Sequence, residues 1–227
     1  MAYTFKQTLL PASKYPIKAP YTMTPQFVTV HNTANDASAA NEIKYMTTND
    51  NQVSYHVAVD DIEVIQAIPF NRNAWHCGDG QGKGNRQSIG IEICYSKSGG
   101  ARYAVAEENA VQYIAKLLKE YGWGIDRVKK HQDWNGKYCP HRILSEGRWN
   151  NFLKRIEQAM KPVVTIKPKE EPQVTNTLTS TAKQDLRDLL KETHKRGIMK
   201  VDHSDRVDCM SDGEALGLLI SVVKRTL

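Results

Sequence analysis

The stretch IGIEIC, residues 89–94, is apolar on both of its faces except at Gly90 and Glu92. A short continuous apolar run of this kind is typical of a strand that lies in the middle of a sheet and is covered on both sides. Burying a carboxylate in such a strand is costly unless the carboxylate has a partner or a task. We therefore predict a buried central strand here, and we single out Glu92 as a candidate functional residue.

Strand and helix patterns alternate along the rest of the first 160 residues. The strand candidates are residues 27–30, 53–59 and 62–68, with a hairpin turn at Asp60-Asp61 between the last two. The helix candidates are residues 37–47, 106–121 and 148–160, and the last two carry apolar side chains along one face. This alternation predicts an α/β fold in which helices pack on a mixed central sheet.

A small second domain is predicted at the C-terminal end. Residues 161–180 mix prolines, charges, Thr and Ser without a regular period, which is typical of an exposed linker. We therefore divide the chain into a domain of residues 1–160, this linker, and a domain of residues 181–227. Two capping-box patterns predict helices in the small domain, Thr181 with Gln184 and Ser211 with Glu214. The second of these helices carries the apolar stripe Leu216, Leu219, Ile220 and Val223.

Composition narrows the classes of partner. The 227-residue chain has a formal net charge of +6 and a pI near 9.0, which favours an anionic partner. Its basic residues are scattered among acidic ones and match no usual nucleic-acid motif, so we expect no nucleic-acid partner. No apolar run has the length of a signal peptide or a membrane span, so we expect cytoplasmic synthesis and no membrane insertion. The four cysteines include no CxxC pair, which argues against a disulfide framework.

Three residues have side chains that suit a metal site. Zinc in a catalytic site takes three protein ligands from His, Cys or a carboxylate and leaves one position for water. His131 and Cys139 lie eight residues apart on a loop that contains Gly136 and ends at Pro140, so both can reach one ion. His31 lies 100 residues before His131, and no local spacing rule couples it to the other two. Spacing alone therefore leaves the site open.

Five motifs occur here in the order seen in a known family. They are VTVHNT (residues 28–33), SYHVAVD (54–60), WHCG (75–78), SIGIE (88–92) and HQDWNGKYCP (131–140). In these motifs the chain resembles the type 2 N-acetylmuramoyl-L-alanine amidases, which include phage endolysins, bacterial wall-recycling amidases and animal peptidoglycan recognition proteins. The resemblance spans residues 27–155 and looks closest to phage or prophage endolysins of Bacillus. It implies the amidase fold and hydrolysis of the amide bond between N-acetylmuramic acid and L-alanine in peptidoglycan.

The resemblance also implies the chemistry of the site. Carried over to this chain, it makes His31, His131 and Cys139 the ligands of a Zn²⁺ cofactor that activates water. Glu92 then becomes the general base that takes the proton of the water and returns it to the leaving amine. Lys137, two residues before the cysteine ligand, would place its ammonium beside the oxyanion of the tetrahedral intermediate.

Three further residues are expected to contact the substrate. His76, in the WHCG motif, resembles a family position near the substrate rather than a ligand. Tyr55 matches a tyrosine that lies by the metal in some family members. Trp75 occupies a loop beside the site, where an aromatic ring suits a sugar face, and core packing is its alternative role.

Several of these side chains keep alternative interpretations. His31 taken alone suits a structural histidine at the end of a strand. Glu92 could be a buried carboxylate paired with Arg86 or Lys130, and His141 is the main rival ligand. Structural rather than metal-binding roles are expected for a further set of His and Cys residues, namely His56, Cys77, Cys94, His194, His203 and Cys209.

The main alternative function is a non-catalytic peptidoglycan-binding module, because the same fold binds muropeptides without cutting them in some recognition proteins. Such members commonly lose the ligand cysteine, so the presence of Cys139 favours catalysis. A regulator of a nucleic-acid enzyme is a second alternative, which the sequence does not test. We expect the small domain to hold a cell-wall polymer, with dimerisation as its alternative role. The whole chain is expected to be a monomer that acts on the bacterial wall after release from the host cytoplasm.

Overall fold

The computed structural model describes residues 3–161 and 176–227. The chain divides into two compact units, Met1–Pro162 and Val163–Leu227. The first unit is a mixed sheet flanked by helices and the second is helical, so the predicted fold class is confirmed. Most of the predicted linker, residues 162–175, lies outside the described residues. Across the described ranges, none of the helices combines the length and the apolar character needed to cross a membrane.

Within the described residues, six strands form one sheet. They are β1 (Thr4–Gln7), β2 (Phe27–Asn32), β3 (Val57–Val59), β4 (Glu63–Gln66), β5 (Ser88–Ile93) and β6 (Val128–Lys130). Their order across the sheet is β1-β4-β3-β5-β2-β6, and every neighbouring pair is parallel except β3 with β4. β5 lies between β3 and β2 and buries Ile89, Ile91 and Ile93 completely. This confirms the central strand predicted at residues 89–94.

The hairpin between β3 and β4 turns at Asp60, as predicted. Its Oδ1 accepts hydrogen bonds from the backbone N–H groups of Ile62 and Glu63, both at 2.8 Å, and these bonds stabilise the turn. Both strands are shorter than predicted. β3 starts later because Ser54 bonds through its N–H to the carbonyl of Trp75 in a loop rather than to a strand. The sequence analysis missed β1, whose four side chains are all exposed, and β6, which has only three residues.

Helices cover the sheet of the first unit. They are α1 (Tyr15–Lys18), α2 (Ala39–Thr48), α3 (Lys83–Gln87), α4 (Gly100–Tyr121), α5 (Gln132–Asn135), α6 (His141–Ser145) and α7 (Trp149–Met160). α4 begins earlier than its predicted start at residue 106, because buried Tyr103 extends its apolar face by a turn. α7 packs on α4, where Glu107 forms ion pairs with Arg148 at 2.6 Å and Arg155 at 2.5 Å. α2 and α7 start and end within two residues of the predicted ranges.

The second unit contains α8 (Ser180–Lys195) and α9 (Asp212–Thr226). The capping box predicted at Ser211 and Glu214 is present at the start of α9 and is confirmed. The one predicted at Thr181 is wrong. The N-cap of α8 is Thr179, whose hydroxyl accepts a hydrogen bond from the N–H of Ala182 at 3.2 Å, so Thr181 lies inside the first turn.

The apolar stripe predicted for α9 lies on its exposed face. Leu216, Ile220 and Val223 are 58%, 48% and 52% exposed, whereas Ala215 and Val222 are buried. The sequence therefore identifies the apolar stripe but not the face that the helix buries. The helix turns a different face inwards because α8 and the segment between the helices supply most of the small core, through Leu186, Leu190, Met199, Val207 and Met210.

Candidate active site

Three of the predicted site residues meet at one edge of the sheet. Val30 of β2 pairs with Lys130 of β6 in parallel register, so the residues that follow, His31 within β2 and His131 directly after β6, lie at the same edge of the sheet. The Nδ1 atoms of the two histidines are 3.0 Å apart, and Cys139 Sγ lies 3.8 Å from His31 Nδ1. All three side chains are buried. Strand register therefore supplies the coupling that sequence spacing leaves open.

The loop after β6 folds back to bring the cysteine to the histidines. α5 ends at Gly136, whose φ of 84° is a left-handed conformation that favours glycine. The N–H of Lys137 then donates to Asn135 Oδ1 at 2.9 Å, and the N–H of Gln132 donates to the carbonyl of Cys139 at 3.1 Å. These local bonds hold the thiol in place beside the imidazoles.

Among the described residues, two groups of side chains could hold a metal ion. One is His31 with His131 and Cys139, and the other is His31 with His76 and Cys77. The predicted rival His141 belongs to neither group, and its Nε2 lies 3.4 Å from the carbonyl of Ser96. The first group has the composition that the sequence analysis proposed.

Glu92 lies beside this group. In the pairing of β5 with β2 it stands opposite His31, so both side chains lie on the same face of the sheet. Burial, and then the nearby charge of Glu42, raise the pKa of Glu92 to about 8, although Lys137 lowers it. Within the described part of the chain Glu92 Oε2 has no hydrogen-bond partner. The alternative pairing with Lys130 is absent there, because Lys130 forms its ion pair with Asp133.

The electrostatics keep the two histidines neutral. Burial lowers the pKa of both His31 and His131 below the ordinary value, and the Lys137 ammonium lowers them further. Neutral imidazole is the form that binds metals. Burial, followed by the charge of Glu92, raises the pKa of the Cys139 thiol to about 12. A thiolate at this position therefore requires a positive charge close to it, which a bound cation would supply.

Two clefts open next to the group of His31, His131 and Cys139. The first, of about 560 Å³, is bordered by Glu92, Tyr55 and Glu42 and by a set of amide side chains, Asn35, Asn41, Asn49 and Asn51. The second, of about 580 Å³, is bordered by Trp75 and Lys137, and its remaining lining includes His76, Asn85, Asn135 and His131. Val53, which is 65% exposed, borders both clefts. The two clefts therefore adjoin each other, one at Glu92 and the other at His131.

The predicted substrate-contacting residues differ in their surroundings. The hydroxyl of Tyr55 donates to Glu42 Oε2 at 3.3 Å, and Trp75 Nε1 donates to the carbonyl of Ile17 at 3.1 Å. Both rings border a cleft. His76 also borders the second cleft, but its Nδ1 lies 2.9 Å from His31 Nε2. The structure therefore places His76 in direct contact with His31, one of the three candidate zinc ligands.

Comparison with known proteins decides the family. The family model described as N-acetylmuramoyl-L-alanine amidase matches residues 21–142, which is more than half of the chain. The chain belongs to this family. The match in this amidase family includes every candidate site residue and does not reach the second compact unit.

Individual relatives agree with this assignment. The amidase CwlA of Bacillus subtilis strain 168 is 63% identical over 162 residues, which cover 71% of this chain and 60% of CwlA. The amidase XlyB of the same strain is 60% identical over 168 residues, covering 74% of this chain and 53% of XlyB. The solved structure of PlyL shares 57% identity at a TM-score of 0.66, over 67% of this chain and 96% of that one. The chain therefore spans between 53% and 60% of the length of these two curated amidases.

The sequence analysis missed one charged residue of the amidase-family site. Glu42 lies in the first turn of α2, borders the first cleft and accepts a hydrogen bond from Tyr55. An acidic side chain in the first turn of a helix has an ordinary explanation in the helix dipole. No sequence signal therefore marks Glu42 as part of the site.

Proposed function

We propose that this chain hydrolyses the amide bond between N-acetylmuramic acid and L-alanine in bacterial peptidoglycan, as an endolysin that uses zinc. The observation that carries the proposal is the buried group of His31, His131 and Cys139, with Glu92 beside it and two clefts that are bordered by Glu92 and by His131. The family membership and the names of the relatives support the choice of substrate.

The geometry of this group fits a zinc ion. Tetrahedral zinc holds two ligand nitrogens about 3.3 Å apart, and a nitrogen and a sulfur about 3.6 Å apart. The observed separations of 3.0 Å between His31 and His131 and 3.8 Å between His31 and Cys139 lie close to both values. Glu92 Oε2, a buried atom beside the group, has no hydrogen-bond partner among the described residues. An unpartnered polar atom of this kind is expected where a water molecule is to be accommodated.

Zinc held by three protein ligands lowers the pKa of a water molecule and polarises a carbonyl oxygen. The chain's own residues handle the protons. Glu92 accepts a proton as the water oxygen bonds to the carbonyl carbon, and it delivers that proton to the L-alanine nitrogen as the carbon–nitrogen bond breaks. Its pKa of about 8 suits a group that must both take up and release a proton near neutral pH.

Lys137 and Tyr55 act on the charge and position of the substrate. The Lys137 ammonium borders the second cleft next to His131 and is close enough to lower the pKa of the site histidines. A positive charge in that place stabilises the negative oxygen of the tetrahedral intermediate.

The hydroxyl of Tyr55 stays protonated and serves as a hydrogen-bond donor. Burial, and then the charges of Glu42 and Glu92, raise the pKa of Tyr55 above its ordinary value. Trp75 offers an aromatic ring to a sugar face in the second cleft.

A digestion experiment tests this function. Purified peptidoglycan sacculi from a Bacillus are incubated with the zinc-loaded chain, and new amino termini are labelled and identified. We expect L-alanine termini to accumulate, to stop after a zinc chelator is added, and to resume after zinc is restored. If the chain sediments with the sacculi but releases no L-alanine termini, it is a binding module and the proposal is wrong.

The second compact unit is proposed to hold a cell-wall polymer. It has its own apolar core, and the family match does not reach it. Tethering an enzyme to an insoluble substrate raises the effective concentration of the substrate at the catalytic site. This role does not require the unit to touch the scissile bond.

Removal of the second unit tests the anchoring role. A variant that ends after Met160 is expected to keep its rate on soluble muropeptides, because every candidate site residue precedes that point. Its binding to intact sacculi should fall by one to two orders of magnitude, as expected from the loss of a second attachment point. Sedimentation with sacculi over a range of protein concentrations measures this change. Equal sedimentation of both proteins would contradict anchoring.

A further inference from the structure

The imidazole of His31 has polar neighbours at both of its nitrogens. Its Nδ1 faces His131 Nδ1 at 3.0 Å and Cys139 Sγ at 3.8 Å. Its Nε2 faces His76 Nδ1 at 2.9 Å. A neutral imidazole carries one hydrogen, so if Nδ1 binds the metal, Nε2 must carry that hydrogen and can only donate. His31 is then oriented by whatever accepts this hydrogen bond, and the acceptor is His76.

The other contacts of His76 require the same arrangement of hydrogens. Its Nε2 lies 3.3 Å from the carbonyl oxygen of Ser88, which can only accept, so the hydrogen of His76 is on Nε2. Its Nδ1 is therefore free of hydrogen and able to accept from His31. The backbone N–H groups of His76 and Cys77 both donate to Asn85 Oδ1 at 2.8 Å, which fixes the backbone below the ring. The same placement of hydrogens therefore satisfies both bonds, from His31 to His76 and from His76 to the carbonyl of Ser88 in β5.

Gly90 makes room for this arrangement. A Cβ atom at position 90 would lie 2.7 Å from Cγ of His76, which is closer than non-bonded carbon atoms approach. Gly90 lies in β5 between two completely buried isoleucines, where a larger side chain would otherwise be expected. The missing side chain is therefore explained by the ring of His76, which occupies that space.

From these contacts we infer that His76 is a positioning residue, which fixes the hydrogen placement and the orientation of His31 as a metal ligand. The inference rests on the proposed function, because it takes His31 to be a ligand through Nδ1. Both ring nitrogens of His76 are engaged, so neither is available to bind substrate, which differs from the role expected from sequence. Partners of this kind around a ligand typically change metal affinity by about 10- to 100-fold when removed.

The distances argue against His76 as a ligand itself. In the group of His31, His76 and Cys77, His76 Nδ1 lies 3.1 Å from Cys77 Sγ. This is shorter than the nitrogen–sulfur separation of about 3.6 Å that one tetrahedral zinc ion requires, whereas the 3.8 Å between His31 Nδ1 and Cys139 Sγ is not. The 2.9 Å between His31 Nε2 and His76 Nδ1 matches a hydrogen bond.

Zinc affinity of the full-length chain tests the inference. Metal-free protein is titrated with Zn²⁺ against a competing chelator, and unfolding is followed in the same samples. His76→Ala is expected to bind one zinc with affinity lowered about 10- to 100-fold. His76→Gln should recover part of the loss, because its amide oxygen can accept the His31 hydrogen. It also provides a second measurement if the alanine variant does not fold.

His56 is the matched control. It is also buried, and its ring centroid is 5.8 Å from that of His76, but its nitrogens contact only the backbone at Gly90 and Arg72. His56→Ala should lower the melting temperature and leave zinc affinity unchanged. Wild-type affinity in His76→Ala, or an equal loss of affinity in both alanine variants, would overturn the positioning role while leaving the proposed function intact. Failure of the unaltered chain to bind zinc would remove the proposed function, and the positioning role with it.

Discussion

Glu92→Gln is expected to retain zinc and lose amide hydrolysis by about two to four orders of magnitude, the usual contribution of a general acid–base group. Glutamine keeps the size of the side chain but cannot take up and return a proton. Glu92 is half-buried, and its buried Oε2 has no hydrogen-bond partner among the residues that the structure describes, so the exchange breaks no hydrogen bond of that oxygen. Zinc content and the rate of L-alanine release, measured on the same preparation, check this result.

A matched control separates loss of catalysis from loss of charge. Glu157 is exposed on α7, and Glu157→Gln should leave hydrolysis at its normal rate. The metal-free Glu92→Gln protein should also be at least as stable as the unaltered one at neutral pH. Burial raises the pKa of Glu92 to about 8, so folding must either bury its charge or protonate it, and glutamine avoids both costs. Near-normal turnover by Glu92→Gln would show that another group takes the proton of the water.

Cys139→Ala should lose zinc, hydrolysis and zinc-dependent stability together. Metal binding is coupled to the folded state, because the ligands come from β2 and from the segment that follows β6, which meet only after folding. At a free zinc concentration a thousand times the dissociation constant, binding stabilises the folded protein by about 4 kcal/mol. The unaltered chain should therefore melt at a higher temperature with zinc than with chelator. The variant should show little difference between the two.

Cys77→Ala is the control for this experiment, and it also tests the alternative metal group. Cys77 is completely buried, and it belongs to the second candidate metal group, with His31 and His76. Its removal should lower stability through the cavity it leaves, while zinc content stays at one ion per chain. If Cys77→Ala loses zinc and Cys139→Ala retains it, the metal binds to His31, His76 and Cys77 instead.

Much of the fold follows from local pattern. The continuous apolar run at residues 89–94 predicts the central strand because such a run must be buried on both faces. The helix patterns at residues 37–47 and 148–160 predict α2 and α7 closely. The capping box at Ser211 predicts the start of α9, since both of its hydrogen bonds lie within four residues. In each case the interactions are local or depend on burial alone.

Other features have no local signal. β1 exposes every side chain, so its place in the sheet depends on backbone pairing with β4. The buried face of α9 depends on which residues the rest of the small unit presents to it, and the apolar stripe visible in the sequence is the exposed one. Periodicity reports that a face is apolar, but it does not report which partner covers that face.

The candidate site divides in the same way. The sequence by itself determined the residue types, because a resemblance in five ordered motifs names His31, His131, Cys139 and Glu92 without reference to distance. Only the tertiary structure decided which of them lie together. The parallel register of β2 with β5 and β6 brings His31, His131 and Glu92 to one sheet edge, the loop after β6 returns Cys139 to them, and packing against Gly90 turns the ring of His76 towards His31. Contacts between residues far apart in the chain depend on strand register and side-chain packing, which no local spacing encodes.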